Sequence, residues 1–244
     1  VKNFVQMGIP NATKLLDTMN MSTKNVFAPI AIGTNVSPLS LTDAYTALAN
    51  NGKRMGPQFV NQLQYQGQTL KFNSVGVQTY APGAAYMTTD ILKGVFSGEG
   101  TASDAKIDGI NQAGKTGAAD GGAGMPKDAL TDAWFVGYTP QYTVGVWTGY
   151  DNPYNKNEYL KTDDEQISQQ IYKKIMESII NQPGYDKGQD FALPNDINKF
   201  GNMITWKDNN RPQGNAIAFL NPDNINQAKD SVKPDQNIST FFTN

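Results

Sequence analysis

Residues Gly109 to Thr116 read Gly-Ile-Asn-Gln-Ala-Gly-Lys-Thr, two glycines separated by four residues and then Lys-Thr. That spacing matches a nucleotide-binding loop, in which backbone N–H groups and the start of a helix wrap phosphates. Read one position on, the same stretch gives Lys115-Thr116-Gly117 and a different chemistry. A cation holds a substrate carboxylate and lowers proton affinities around it. A hydroxyl stands beside it, and a glycine lets an acyl substrate lie against the backbone. On an edge strand next to a serine nucleophile, these three residues suit acyl transfer.

The surrounding elements decide between the two. A phosphate loop needs a buried strand before it and a helix beginning at Lys-Thr. The preceding stretch, Ser97 to Asp108, is small, polar and charged, and the following one, Gly117 to Lys127, carries four glycines and a proline. No helix is expected to start at Lys115, and a nucleotide is not an expected ligand. Instead Ile110 to Ala119 reads as a strand. Ala133 to Tyr138 and Tyr142 to Tyr150 follow as two more, joined by Thr139-Pro140-Gln141 as an antiparallel hairpin. Gly121 to Pro126 reads as a flexible loop. Trp134, Phe135, Tyr138 and Trp147 are expected in the sheet core.

Helices frame these strands. Val1 to Met19 reads as two helical pieces separated by Pro10. Leu41 to Asn51 has Ser40 as its expected N-cap and Asp43 as a weaker capping-box partner. Its apolar face is Leu41, Ala44, Tyr45 and Leu48, with Gly52 placed for a left-handed C-terminal cap. Gln58 to Phe72 reads as a hairpin turning at Gln66-Gly67. Ala84 to Phe96, after Pro82, is a short helix with Tyr86, Met87, Ile91 and Val95 at helical spacing, weakened by Gly94. The clearest helix is Asp163 to Asn181. Ile167, Ile171, Ile175 and Ile179 recur every four residues, and Tyr172, Met176 and Ile180 widen the stripe. Asp163-Asp164-Glu165 suits the helix N-terminus rather than a metal site, and Pro183-Gly184 ends the helix. Beyond Asn195 the chain is rich in Asn, Asp, Gln and Pro. The apolar islands Met203–Trp206 and Ala216–Leu220 flank the turn Asp208–Asn215, predicting a small hairpin and then a frayed end.

Composition removes other chemistries. The 244 residues contain neither cysteine nor histidine, so thiol nucleophiles, disulfides, Ser-His-Asp triads and Cys/His-ligated zinc are excluded. Net charge is -2 and no basic stripe is present, which argues against nucleic acid. No apolar run approaches the ~20 residues needed to span a bilayer. For work outside the cell, an export or anchor segment upstream of Val1 is expected.

Several blocks carry a resemblance: Ala28 to Gly52, with Ala-Pro-Ile-Ala-Ile-Gly-Thr-Asn-Val-Ser-Pro-Leu and Ala-Leu-Ala-Asn-Asn-Gly; Ala113 to Gly117; and Asp132 to Gly149, with Asp-Ala-Trp-Phe-Val-Gly-Tyr-Thr-Pro and Val-Gly-Val-Trp-Thr-Gly. In this order they resemble the C-terminal transpeptidase domain of class A penicillin-binding proteins. The resemblance implies an α+β fold of the penicillin-binding/serine β-lactamase type, an antiparallel sheet with packed helices. It implies a D,D-transpeptidase that cross-links peptidoglycan stem peptides ending in D-Ala-D-Ala and is acylated by β-lactams. Such an enzyme needs no cofactor or metal and works on the extracytoplasmic face of the bacterial membrane. A glycosyltransferase domain upstream is implied as well. Of the family motifs Ser-x-x-Lys, Ser-x-Asn and Lys-Thr-Gly, only the last maps, onto Lys115, Thr116 and Gly117, with Lys115 the implied catalytic residue. Ser103-Asp-Ala-Lys106 has the first motif's letters but lies too close to Lys115. Val1-Lys2 resembles the residues directly after the Ser-x-Asn motif. The expected arrangement is therefore residues 1–198 as the C-terminal portion of the domain, with the N-terminal part of the same domain as partner, and 199–244 as a small β-rich extension. Alone, 1–244 is expected to be inactive. Ala118 stands where the family often has threonine, which removes a hydroxyl from the implied substrate-binding set of Lys115, Thr116, Gly117 and Ala118. The rival readings are a serine β-lactamase or D,D-carboxypeptidase, and a non-catalytic wall-binding domain.

Overall fold

The computed structural model describes residues 7–21, 28–155, 158–207 and 232–234. In chain order its elements are α1 (Ile9–Thr18), α2 (Pro38–Ala49), β1 (Lys53–Arg54), β2 (Gln62–Tyr65), β3 (Gln68–Ser74), β4 (Val77–Gln78), α3 (Pro82–Lys93), β5 (Ala113–Asp120), β6 (Ala129–Tyr138), β7 (Thr143–Gly149), β8 (Leu160–Lys161), α4 (Glu165–Ile180), β9 (Ile197–Phe200), β10 (Met203–Trp206) and β11 (Val232–Pro234). The central sheet is antiparallel in the order β5-β6-β7, with β8 also paired to β6. Lys115 lies opposite Val136, Gly117 opposite Trp134, and Trp134 opposite Trp147. Among the described residues β5 is an edge strand. β6 begins at Ala129 rather than Ala133, because β8 arrives from a distant part of the chain to pair with Ala129 and Leu130.

Alternation along β6 divides the core. Phe135 faces α4, with its ring centroid 4.8 Å from that of Tyr172. Tyr138 faces the other way, 6.1 Å from the ring of Tyr45 on α2. The α4 side is filled by Phe96, Phe135, Val146, Tyr172, Met176 and Ile180. On the other side Tyr86, Ala113, Tyr138, Phe191 and Ile197 form a second cluster.

The isoleucine stripe of α4 is not the buried one. Ile167, Ile171 and Ile175 are 41%, 37% and 42% exposed, whereas Tyr172 and Met176 are 0% exposed. Two stripes of the same period run one residue apart on this helix, and periodicity cannot choose between them. Gly137 chooses: a Cβ there would collide with the Tyr172 ring, so the glycine leaves the hollow into which the tyrosine packs.

Other elements shift for local reasons. Ser37, not Ser40, caps α2: its Oγ accepts the Ser40 N–H at 3.1 Å, because Pro38 occupies the first turn, where its missing N–H costs nothing. Asp43 takes no part in the cap; it is buried and paired with Arg54 of β1. Pro10, expected to break a helix, sits in the first turn of α1 after Gly8, while Val1 to Gln6 lie outside the described residues. On α3, Ile91 is 75% exposed. Thr89 is buried there instead, its hydroxyl donating to the Leu48 carbonyl and lying 3.1 Å from the Tyr138 hydroxyl. Two turns are as expected: Gly52 has φ +83°, and Gln66 and Gly67 have φ +47° and +81° between β2 and β3. Met203–Trp206 pairs with Ile197–Phe200; Ala216–Leu220, the other expected island of the hairpin, lies outside the described residues. This hairpin crosses the 198/199 division and lays Ile197 and Trp206 against the start of α3 at Gly83.

Candidate active site

Lys115 and Thr116 lie inside a strand, with no helix start to cradle phosphate. The Lys115 ammonium is exposed and donates to the Thr116 carbonyl at 2.8 Å. Gly117 lies over Trp134; a Cβ there would come within 3.3 Å of the Trp134 Cβ, so the glycine both bares the backbone and admits the indole beneath it. Thr116 is half-buried and Ala118 exposed.

Lys115, Thr116, Gly117 and Ala118 line one cavity of about 1120 Å³. Its floor is Trp134, Val136 and Trp147; its far wall comes from α1, α2 and the stretch between Ile30 and Pro38. Among the described residues, the hydroxyl side chains of this lining are Thr34, Tyr45 and Thr116, and none is a serine. The two indoles are 6.3 Å apart between ring centroids. Trp147 Nε1 donates to Asp132 Oδ1 at 2.6 Å, and Thr131 Oγ1 donates to Asp132 Oδ2 at 2.8 Å, so the carboxylate fixes the indole that forms part of the floor.

Of the four sheet aromatics expected in the core, Phe135 and Tyr138 are there, at 0% exposure. Trp134 and Trp147 are not: they are half-buried on the cavity side. They occupy directly opposed positions on β6 and β7 and so share a face, and that face is covered by α2 only in part. Ser103 and Lys106 line a separate cavity of about 400 Å³ with Lys93 and Gln112, and Lys106 pairs with Asp108 at 3.0 Å. They are not part of the Lys115 cavity.

Sequence reading did not single out the far wall or Thr101. Ile30 to Pro38 carries no chemically distinctive side chain; its only signal is position within the block Ala28 to Gly52. Thr101 Oγ1 lies 3.0 Å from Thr116 Oγ1, a contact between residues with no shared local pattern.

Comparison with known proteins fits this geometry. The family profile for the penicillin binding protein transpeptidase domain matches residues 7–177. The chain is 29% identical over 190 residues to penicillin-binding protein 1A/1B of Bacillus subtilis (strain 168), covering 75% of this chain and 21% of that protein. It is 37% identical over 125 residues to penicillin-binding protein 1A of Aquifex aeolicus (strain VF5), covering 50% of this chain and 16% of that one. The chain thus spans only 16–30% of the length of curated relatives such as these. Among solved structures, the apo transpeptidase domain of Burkholderia pseudomallei penicillin-binding protein 3 superimposes with a TM-score of 0.50 at 23% identity, over 69% of this chain and 50% of that one; this likeness supports the fold. Every residue of the Lys115 cavity falls inside the matched span, and the chain belongs to the penicillin-binding protein transpeptidase family.

Proposed function

We propose that this chain is the Lys-Thr-Gly-bearing portion of a serine D,D-transpeptidase that cross-links peptidoglycan. One observation carries the reading: Lys115, Thr116 and Gly117 stand together on the edge strand of the sheet, at the wall of a cavity large enough for a peptide end. The exposed Lys115 ammonium holds the C-terminal carboxylate of a D-Ala-D-Ala stem peptide. Thr116 donates its hydroxyl to the same carboxylate, and the bare backbone at Gly117 lets the acyl-D-alanine lie along β5.

In the reaction, a serine oxygen attacks the D-Ala-D-Ala carbonyl as its proton passes to a base. The tetrahedral intermediate expels D-alanine, whose amine takes up a proton. An amine on a neighbouring strand then attacks the ester, forming the cross-link and releasing the serine. A β-lactam meets the same serine and leaves a stable acyl-enzyme. With no serine among the described residues of the cavity lining, the nucleophile is supplied by the N-terminal part of the same domain, seated against the apolar side of the cavity formed by Ile30, Val36, Leu41, Trp134 and Trp147. Residues 1–244 by themselves are therefore not catalytic. The whole protein works outside the membrane, held there by a segment upstream of this chain, with a glycosyltransferase domain in the same polypeptide.

Fluorescent penicillin incubated with the full-length protein tests the reading. A covalent adduct on a serine N-terminal to this chain is expected, and it should be lost on replacing that serine by alanine. Absence of any adduct from the folded full-length protein rejects the assignment.

A further inference from the structure

We propose that Thr101 is a positioning residue for carboxylate recognition: its hydroxyl donates to Thr116 Oγ1 and so directs the single proton of Thr116 at the bound carboxylate. The inference rests on the transpeptidase reading above and names a residue in the loop ahead of β5 that serves the same site.

The geometry is specific. Thr101 Oγ1 and Thr116 Oγ1 are 3.0 Å apart. A threonine hydroxyl has one proton to give and two lone pairs to accept with. A carboxylate can only accept. Thr116 can therefore serve the carboxylate only if its proton is not spent on Thr101, which requires Thr101 to be the donor of the pair. Two hydroxyls in series then point their protons toward the anion. Side chains at 114, 116 and 118 share a face of β5, and of Gly114, Thr116 and Ala118 only the middle one carries a hydroxyl. With Ala118 contributing nothing, the orientation of that one proton matters more.

The loop is built to hold Thr101 still. On its N-terminal side, Gly100 sits so close to the carbonyls of Gly94 and Val95 that no Cβ fits there, and its N–H donates to the Ser97 carbonyl at 2.9 Å. On its C-terminal side, Ala102 is 1% exposed in the α4-side core and donates its N–H to the Val95 carbonyl at 3.0 Å. Thr101 itself is exposed, so neither packing nor burial accounts for its hydroxyl meeting Thr116.

The test uses the full-length protein and two probes, a penicillin with its free carboxylate and the methyl ester of the same penicillin. Thr101→Val keeps the side-chain shape and removes the hydroxyl. The second-order acylation constant for the free acid is expected to fall by about fivefold, through weaker initial binding. The ester should be affected far less, and Thr101→Ser should restore the acid. A Thr101→Val protein that reacts as fast as wild type with the acid overturns the proposal. So does one that slows equally for acid and ester, or one that Thr101→Ser fails to rescue. An unchanged melting temperature in Thr101→Val confirms that the loop is intact. Wild-type protein that is not acylated at all rejects the transpeptidase reading itself, an outcome distinct from these.

Discussion

The two faces of the β5-β6-β7 sheet are built from the same kinds of residue and end in opposite states. On the α4 face, Phe135, Tyr172 and Met176 are all 0% exposed, and Tyr172 sits in the hollow above Gly137. On the other face, Trp134 and Trp147 are larger and equally apolar, yet they stay half-buried along a cavity of about 1120 Å³. Side-chain chemistry does not separate Phe135 from Trp134, its neighbour on the same strand. Coverage does: α4 lies flat across one face, while α2 covers only one end of the other, with Thr42 packed on Gly145. A closed face holds the strands in register, and the open one keeps Lys115 accessible.

The largest way to break this comparison is to truncate one aromatic on each face. Tyr172→Ala removes a fully buried ring and leaves a cavity under Phe135, with an expected loss of about 3–5 kcal/mol. Trp147→Ala removes more atoms but less buried area, and a loss of only about 1–2 kcal/mol is expected. Urea unfolding of the two variants checks the difference. Equal losses would mean that the open face is covered after all.

The next contrast concerns how the open face is supported from behind. Asp43 and Arg54 form a buried ion pair between α2 and β1. Burial pushes the Asp43 carboxyl up from its ordinary range, and the Arg54 guanidinium beside it opposes that rise. Arg54→Met leaves the carboxylate buried without its cation, at a cost of about 3–5 kcal/mol near neutral pH. The sign comes from linkage: in the variant the folded-state pKa of Asp43 lies further above its unfolded value. The folded state then binds the proton more tightly, and stability is retained below the unfolded pKa and lost as pH rises through the folded one. Melting temperatures of Arg54→Met should therefore approach wild type at acid pH and fall away toward neutrality. A pH-independent difference between the two proteins would count against this account.

The contrast between the faces also marks what was legible in the sequence. Antiparallel pairing of the β6-β7 hairpin, the strand bearing Lys115 and the turns at Gly52 and Gln66-Gly67 follow from local signals: alternation, a short link, and residues that tolerate positive φ. Which stripe of α4 is buried does not follow, because the hollow over Gly137 that selects Tyr172 forms only when a distant strand arrives. Nor does the exposure of Trp134, since a strand pattern reports that a face is apolar and not whether anything covers it. At the candidate site, the triplet Lys115-Thr116-Gly117 stands out from spacing and context. Thr101 does not, because the bond it makes to Thr116 joins a loop to a strand across fifteen positions that have no common periodicity.

The smallest expected effect lies along the edge strand β5, at Ala118. Ala118 follows Lys-Thr-Gly and is exposed on the same face of β5 as Thr116, at the cavity wall. A threonine there would add a second hydroxyl for the carboxylate that we assign to Lys115 and Thr116. A hydrogen bond to a charged group is worth roughly 1.5–3 kcal/mol when fully formed. The new hydroxyl must compete with water at an exposed site, so the gain in β-lactam acylation of the full-length protein should sit at the lower end, about tenfold. Because Ala118 is exposed, the substitution should leave stability within about 0.5 kcal/mol, which separates a site effect from a folding effect. An acylation rate unchanged in Ala118→Thr would mean that the carboxylate does not lie along this face of β5.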